Sequence, residues 1–260
     1  AVTISGTASV NTDVRLGTGD DDFVMTGGNI GDGVGLGTNS INSTGSDAGS
    51  TNTAVISGGT IGANIMGTTG VDDVTLSGTA SVAAHVLLGE SNDSVTLSDD
   101  ASVGGILRPA NGDETVTISG AASVDLDIVM GNGDDTFTMT GGSIGSHVLL
   151  GANPTQSTDA GSTNIADISG GSISGSIVGT LGVDQITVSG TTTTVTGNII
   201  TGNSGDIVSV TNATVGQINA GAGGDTVSIV GTASITDIVR VGDGDDTVTI
   251  GDVASVDSFV

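Results

Sequence analysis

Residues 115–135 read TVTISGAASVDLDIVMGNGDD, and the same frame returns at 226–246 as TVSIVGTASITDIVRVGDGDD. It is also present in AVTISGTASVNTDVRLGTGDD (1–21), DVTLSGTASVAAHVLLGESND (73–93) and SVTLSDDASVGGILRPANGDE (94–114), each 21 residues long. Looser copies fill most of the remainder: 53–72 and 165–184 have 20 residues, 185–206 has 22 and 207–225 has 19. Segments 22–52 and 136–164 are longer, with loop inserts near 38–51 and 152–163, and 247–260 is a partial copy. Within each unit three short runs alternate apolar and polar residues, separated by Gly or small polar residues. Alternation with period two marks strands, and Gly between them marks sharp bends. One such unit cannot bury a face by itself, but stacked units can.

The expectation is therefore an all-β fold, a right-handed parallel β-solenoid (β-helix) with three short strands per coil. About twelve coils of roughly 21 residues form a single continuous unit over 1–260. At roughly 4.8 Å per coil the rod is about 55–60 Å long. No helix is expected, because no stretch sustains a 3.6-residue period. A longer repeat sits on top, dividing the chain into blocks 1–114, 115–225 and 226–260. The first strand of each coil supplies a narrow aliphatic core, with Val2/Ile4, Phe23/Met25, Val74/Leu76, Val95/Leu97, Val116/Ile118, Phe137/Met139, Ile186/Val188, Val227/Ile229 and Val248/Ile250 pointing inward.

Composition narrows the functional classes. The formal net charge is −26, and Arg15, Arg108 and Arg240 are the only basic residues apart from two His. Nucleic acids and anionic membranes need clustered Lys or Arg, so neither is an expected partner. No apolar run approaches the roughly 18 residues of a membrane span. The chain has no Cys, so disulfides do not stabilise it. A glycan-cleaving site needs converging carboxylates, and covalent catalysis needs a nucleophile beside a base. The sequence shows neither pattern, and no enzyme activity is expected.

Where each unit ends, an acidic residue stands just before the next strand: Asp21, Asp72, Asp93, Glu114, Asp135, Asp184, Asp206, Asp225 and Asp246. Stacking turns these into a column of carboxylates. Two unit charges about 5 Å apart repel by roughly 3 kcal/mol at an effective dielectric near 20. With no Lys to offset it, such a column needs cations. Calcium suits it best, being a hard ion that takes carboxylate and carbonyl oxygens. The competing expectation is a solvated Asp-Gly turn with no ion.

LGTGDDDFV (16–24), MGNGDDTFT (130–138) and VGDGDDTVT (241–249) resemble the Gly/Asp-rich calcium repeat of the repeats-in-toxin (RTX) family, found in bacterial surface-layer proteins and large adhesins. The resemblance implies calcium ligand roles for Gly17, Gly19 and Asp21, for Gly131, Gly133 and Asp135, and for Gly242, Gly244 and Asp246. Two departures limit it: Leu16, Met130 and Val241 replace the first glycine, and the period is 21 rather than tandem nines.

Two further surfaces stand out. On the first strand the outward residues are mostly Thr and Ser, an array like the ice-binding face of some antifreeze proteins. The third strand is apolar at consecutive positions, which leaves Leu87, Val129, Leu149 and Ile200 pointing outward as an association surface. His85 and His147 are read as surface residues. The expected protein is thus an extracellular bacterial structural protein, a calcium-stabilised solenoid assembling with itself, head to tail or laterally, into a surface layer, sheath, filament or adhesin stalk. The alternative is an ice- or glycan-binding module using the Thr/Ser array, with cell-surface glycan as its partner.

Overall fold

The computed structural model describes residues 1–37, 47–152 and 159–260. Among them every helix or strand is a strand, and 29 strands join into one continuous sheet. It is an all-β parallel β-solenoid of about 12 turns, with partners about 21 residues apart. Along the first strand, successive coils here stack without a register shift: Val74 lies opposite Val95, Val95 opposite Val116, and Val116 opposite Phe137. The expected inserts fall largely in 38–46 and 153–158, outside the described residues.

The first strand places the expected aliphatic row inside. Phe23, Ala54, Val74, Val95, Val116, Phe137, Ala166, Ile186, Val208 and Val227 are each 1% exposed or less. Alternation causes this, because residues two apart share a face. Volume is balanced between coils: each of these Phe residues faces an Ala in the next coil, Phe23 opposite Ala54 and Phe137 opposite Ala166. Met25 likewise lies over Gly59, whose Cβ, if present, would come within 2.6 Å of the methionine Cε, and Met139 lies over Gly171 at the same distance. Phe23, Phe137 and the four Met are thus core filling, whereas Phe259 is 51% exposed. In the last coil Val248 is only half-buried and Ile250 is 48% exposed, so the row is incomplete there.

The number of strands per coil departs from three in several places. Asp22–Ile30 and Thr51–Ile61 each run through the first bend without ending, as do Thr136–Ile144 and Thr163–Ile173. Their Gly-Gly pairs absorb the bend as a bulge, seen as register shifts between Met25 and Asn29 and between Met139 and Ser143. In Thr194–Asn203 and Thr214–Ala222 the second and third strands merge instead.

A buried carboxylate ladder as the candidate site

The corner before each first strand carries two side-chain ladders running in opposite directions. The inner ladder uses the column predicted from the sequence. The Asp72 N–H donates to Asp93 Oδ1, the Asp93 N–H to Glu114 Oε2, and the Glu114 N–H to Asp135 Oδ1, at 2.8–3.0 Å. The same pattern runs from Asp184 through Asp206 and Asp225 to Asp246, at 2.8–2.9 Å. Each inner carboxylate therefore reaches back one coil. The outer ladder reaches forward: Asp113 N–H donates to Asn92 Oδ1, Asp134 N–H to Asp113 Oδ1, and Thr163 N–H to Asp134 Oδ1, at 2.8–3.1 Å. In each Gly-Asp-Asp corner the first aspartate is exposed; the second is buried at Asp135 and half-buried at Asp21 and Asp246. Asp72, Asp93, Glu114, Asp135, Asp184, Asp206 and Asp225 are all 1% exposed or less, so these carboxyl groups are buried rather than solvated.

The insert coils break the acidic column. Asn52 and Asn164 stand opposite Asp72 and Asp184, where an acid was expected. They end the 22–52 and 136–164 units, and that position was the sequence signal for them.

Backbone geometry sorts the acidic corners into two classes. In seven of them the residues four and two before the acid both have left-handed φ: Gly17/Gly19, Gly89/Ser91, Ala110/Gly112, Gly131/Gly133, Gly202/Ser204, Gly221/Gly223 and Gly242/Gly244. Glycine is required at the tightest of these, Gly131, where a Cβ would lie 1.1 Å from the Ala110 carbonyl oxygen, and likewise at Gly133, 1.7 Å from that of Gly112. Six of the seven acids leave one buried side-chain oxygen without a partner: Asp21, Asp93, Glu114, Asp135, Asp206 and Asp225. Thr201, near Asp206, gives its hydroxyl hydrogen to the Ala220 carbonyl at 2.7 Å. The other class comprises Asp72 and Asp184, whose corners read GTTGVD and GTLGVD. There the turn closes on the acid: Thr68 N–H donates to Asp72 Oδ2 at 2.6 Å and Thr180 N–H to Asp184 Oδ2 at 2.7 Å.

Burial sets the electrostatics of the column. Desolvation pushes Asp93 up to about 9, Glu114 up to about 8, Asp135 and Asp206 up to about 7, and Asp184 up to about 6. Asp72 and Asp225 are raised for the same reason. The ladder N–H groups pull the other way, and neighbouring carboxylates add to the rise. The open corners therefore fit a positively charged occupant: an orphaned buried oxygen, oxygen donors only, and glycine-freed backbone that can present carbonyls. That donor chemistry is what a hard cation such as calcium takes. Among the described residues no group of three or more His, Cys, Asp or Glu converges. An ion held here would draw on the column carboxylates and take its remaining oxygens from the backbone.

The remaining sequence candidates are placed as follows. Val129 and Leu149 are 9% and 4% exposed and pack with Val178 in a small second cluster, while Leu87 and Ile200 are half-buried. The third strand is therefore not the open apolar stripe expected. Leu87, Arg108, Val129, Leu149 and Ala152 line a shallow cavity of about 300 Å³ there. His85 and His147 are half-buried ladder members rather than free surface residues, each accepting a backbone N–H at Nδ1, from Ile106 at 2.8 Å and from Ser176 at 2.9 Å. The outward Thr/Ser row is unbroken from Thr75 through Thr96 and Thr117 to Thr138, and again from Thr187 through Ser209 and Ser228 to Thr249. Val24, Val55 and Asp167 interrupt it. No protein-family model, curated protein or solved structure matches the chain.

Proposed function

We propose that this chain is an extracellular structural rod whose carboxylate column is neutralised by calcium at the open corners. The observation that carries the reading is the set of six buried, unpartnered carboxyl oxygens, each in a corner of the same left-handed backbone form. Residues that would hold the ion are Asp21, Asp93, Glu114, Asp135, Asp206, Asp225 and Asp246, with carbonyls of their turns. Calcium supplies the positive charge that lets neighbouring carboxylates stay ionised side by side. Sites with few carboxylates bind weakly, at about 10⁻⁴–10⁻³ M in extracellular modules, so loading calls for the calcium level found outside cells.

Self-assembly is part of the same reading. Every coil pairs in parallel with the next, so a coil of one copy offers the edge that a coil of another can extend. The expected products are filaments, sheaths or surface layers. Electron microscopy of the purified chain with calcium and with chelator tests this. Calcium-dependent filaments or sheets support the proposal, and dispersed monomers at high concentration in calcium contradict its assembly half. Thermal hysteresis from monomers would instead favour ice binding through the Thr75–Thr138 row.

A further inference from the structure

The asparagine corners show what an occupied corner needs. Asn52 Oδ1 accepts the Asp21 N–H at 3.2 Å, as a column carboxylate oxygen would. Its Nδ2 then takes the place of the oxygen that is orphaned elsewhere. That nitrogen donates to Asp72 Oδ1 at 2.8 Å and contacts Ser50 Oγ and Thr68 Oγ1 at 3.4 Å. Three oxygens from two coils thus surround one donor. The second copy repeats this, with Asn164 Nδ2 at 3.1 Å from Asp184 Oδ1 and 3.3 Å from Ser162 Oγ and Thr180 Oγ1. Thr68 Oγ1 also accepts the Gly70 N–H at 2.9 Å, and Thr180 Oγ1 the Gly182 N–H at 3.0 Å. Asn52, Thr68, Asp72, Asn164, Thr180 and Asp184 are fully buried, and no oxygen of Asp72 or Asp184 is orphaned.

Resting on the calcium reading above, we propose that the Asn52–Asp72 and Asn164–Asp184 corners are cation-independent staples, in which an asparagine amide N–H, standing where the open corners have an orphaned oxygen, makes a cation unnecessary. A buried carboxylate needs a positive or hydrogen-bearing partner, and here the amide provides it permanently. The staples divide the column, so the acids from Asp93 to Asp135 load separately from those from Asp206 to Asp246. Each staple also anchors an insert. Asp47 Oδ2 accepts Gly19 N–H at 2.9 Å and Asp159 Oδ2 accepts Gly133 N–H at 2.8 Å, while Ser50 and Ser162 donate to the carbonyls of the same two aspartates.

Amide hydrogen exchange of the full chain, with calcium and with chelator, tests the assignment. The Thr68, Gly70, Thr180 and Gly182 amides should change by less than about twofold between the two conditions. The Asp93, Glu114 and Asp206 amides should exchange at least about tenfold faster in chelator. In Asn52→Asp the Thr68 and Gly70 amides should become calcium-dependent, because an orphaned oxygen is created there. If chelator accelerates the wild-type staple amides as much as those of Asp93 and Glu114, the staples need cations and the inference is overturned while the calcium reading stands. If calcium moves no amide in wild type or in Asn52→Asp, the calcium reading fails and takes the inference with it.

Discussion

Asp134 and Asp135 are adjacent and chemically identical, yet Asp134 is exposed and holds the coil ahead, while Asp135 is buried and holds the coil behind. Strand parity separates them. Asp135 stands two residues before Phe137 and four before Met139, so all three face inward, and this was readable in the sequence. The backbone classes were less legible, because Ser91, Ala110 and Ser204 adopt left-handed φ without being glycine. Such residues cost about 1–3 kcal/mol each and persist only where their surroundings fix them. Ala110, at φ 103, should therefore gain from Ala110→Gly, raising Tm by about 2–4 °C in thermal melts. Gly133→Ala should cost at least about 3 kcal/mol in denaturant titration, since its Cβ meets a carbonyl oxygen. The raised acids give a pH dependence of definite sign. In chelator the folded chain binds their protons more tightly than the unfolded chain does. This stabilisation is full below about pH 4 and is lost as pH rises through about 6 to 9. Tm in chelator should fall across that window, and Asp93→Asn, which mimics the neutral acid, should flatten the fall.

At the level of the coil, a strong period and a small set of inward residues made the stack predictable, down to the Phe-Met pairs at 23/25 and 137/139. Two features escaped because they depend on neighbours rather than on one unit. The Gly-Gly bulges at 27–28 and 141–142 merge strands only where the next coil follows the bend. The third strand looked open because consecutive apolar residues place one on each face, and both faces are covered at Val129 and Leu149. Leu149→Ala should therefore destabilise the fold by about 2 kcal/mol, as loss of a packed side chain does. Assembly should be unchanged in the same variant by light scattering. A free association surface would give the reverse pattern, with little loss of stability and weakened assembly.

Across the whole rod, each coil contacts only its neighbours, so stability is a sum of similar interfaces along one axis. The aliphatic rows favour that stack at every level, whereas a fully ionised column opposes it by repulsion between adjacent carboxylates. In the proposed reading two staples offset the repulsion locally, and the open corners between and beyond them take cations from solution once the pH is high enough to ionise them. A site at ten times its Kd contributes about 1.4 kcal/mol, so several sites together shift the melt by more than about 10 °C. The direct measurement is the thermal midpoint of the isolated chain near pH 8 in millimolar calcium and in chelator, followed by circular dichroism. A midpoint higher by more than about 10 °C in calcium is the predicted result. Equal midpoints in the two conditions would contradict the claim that cations hold the ladder together.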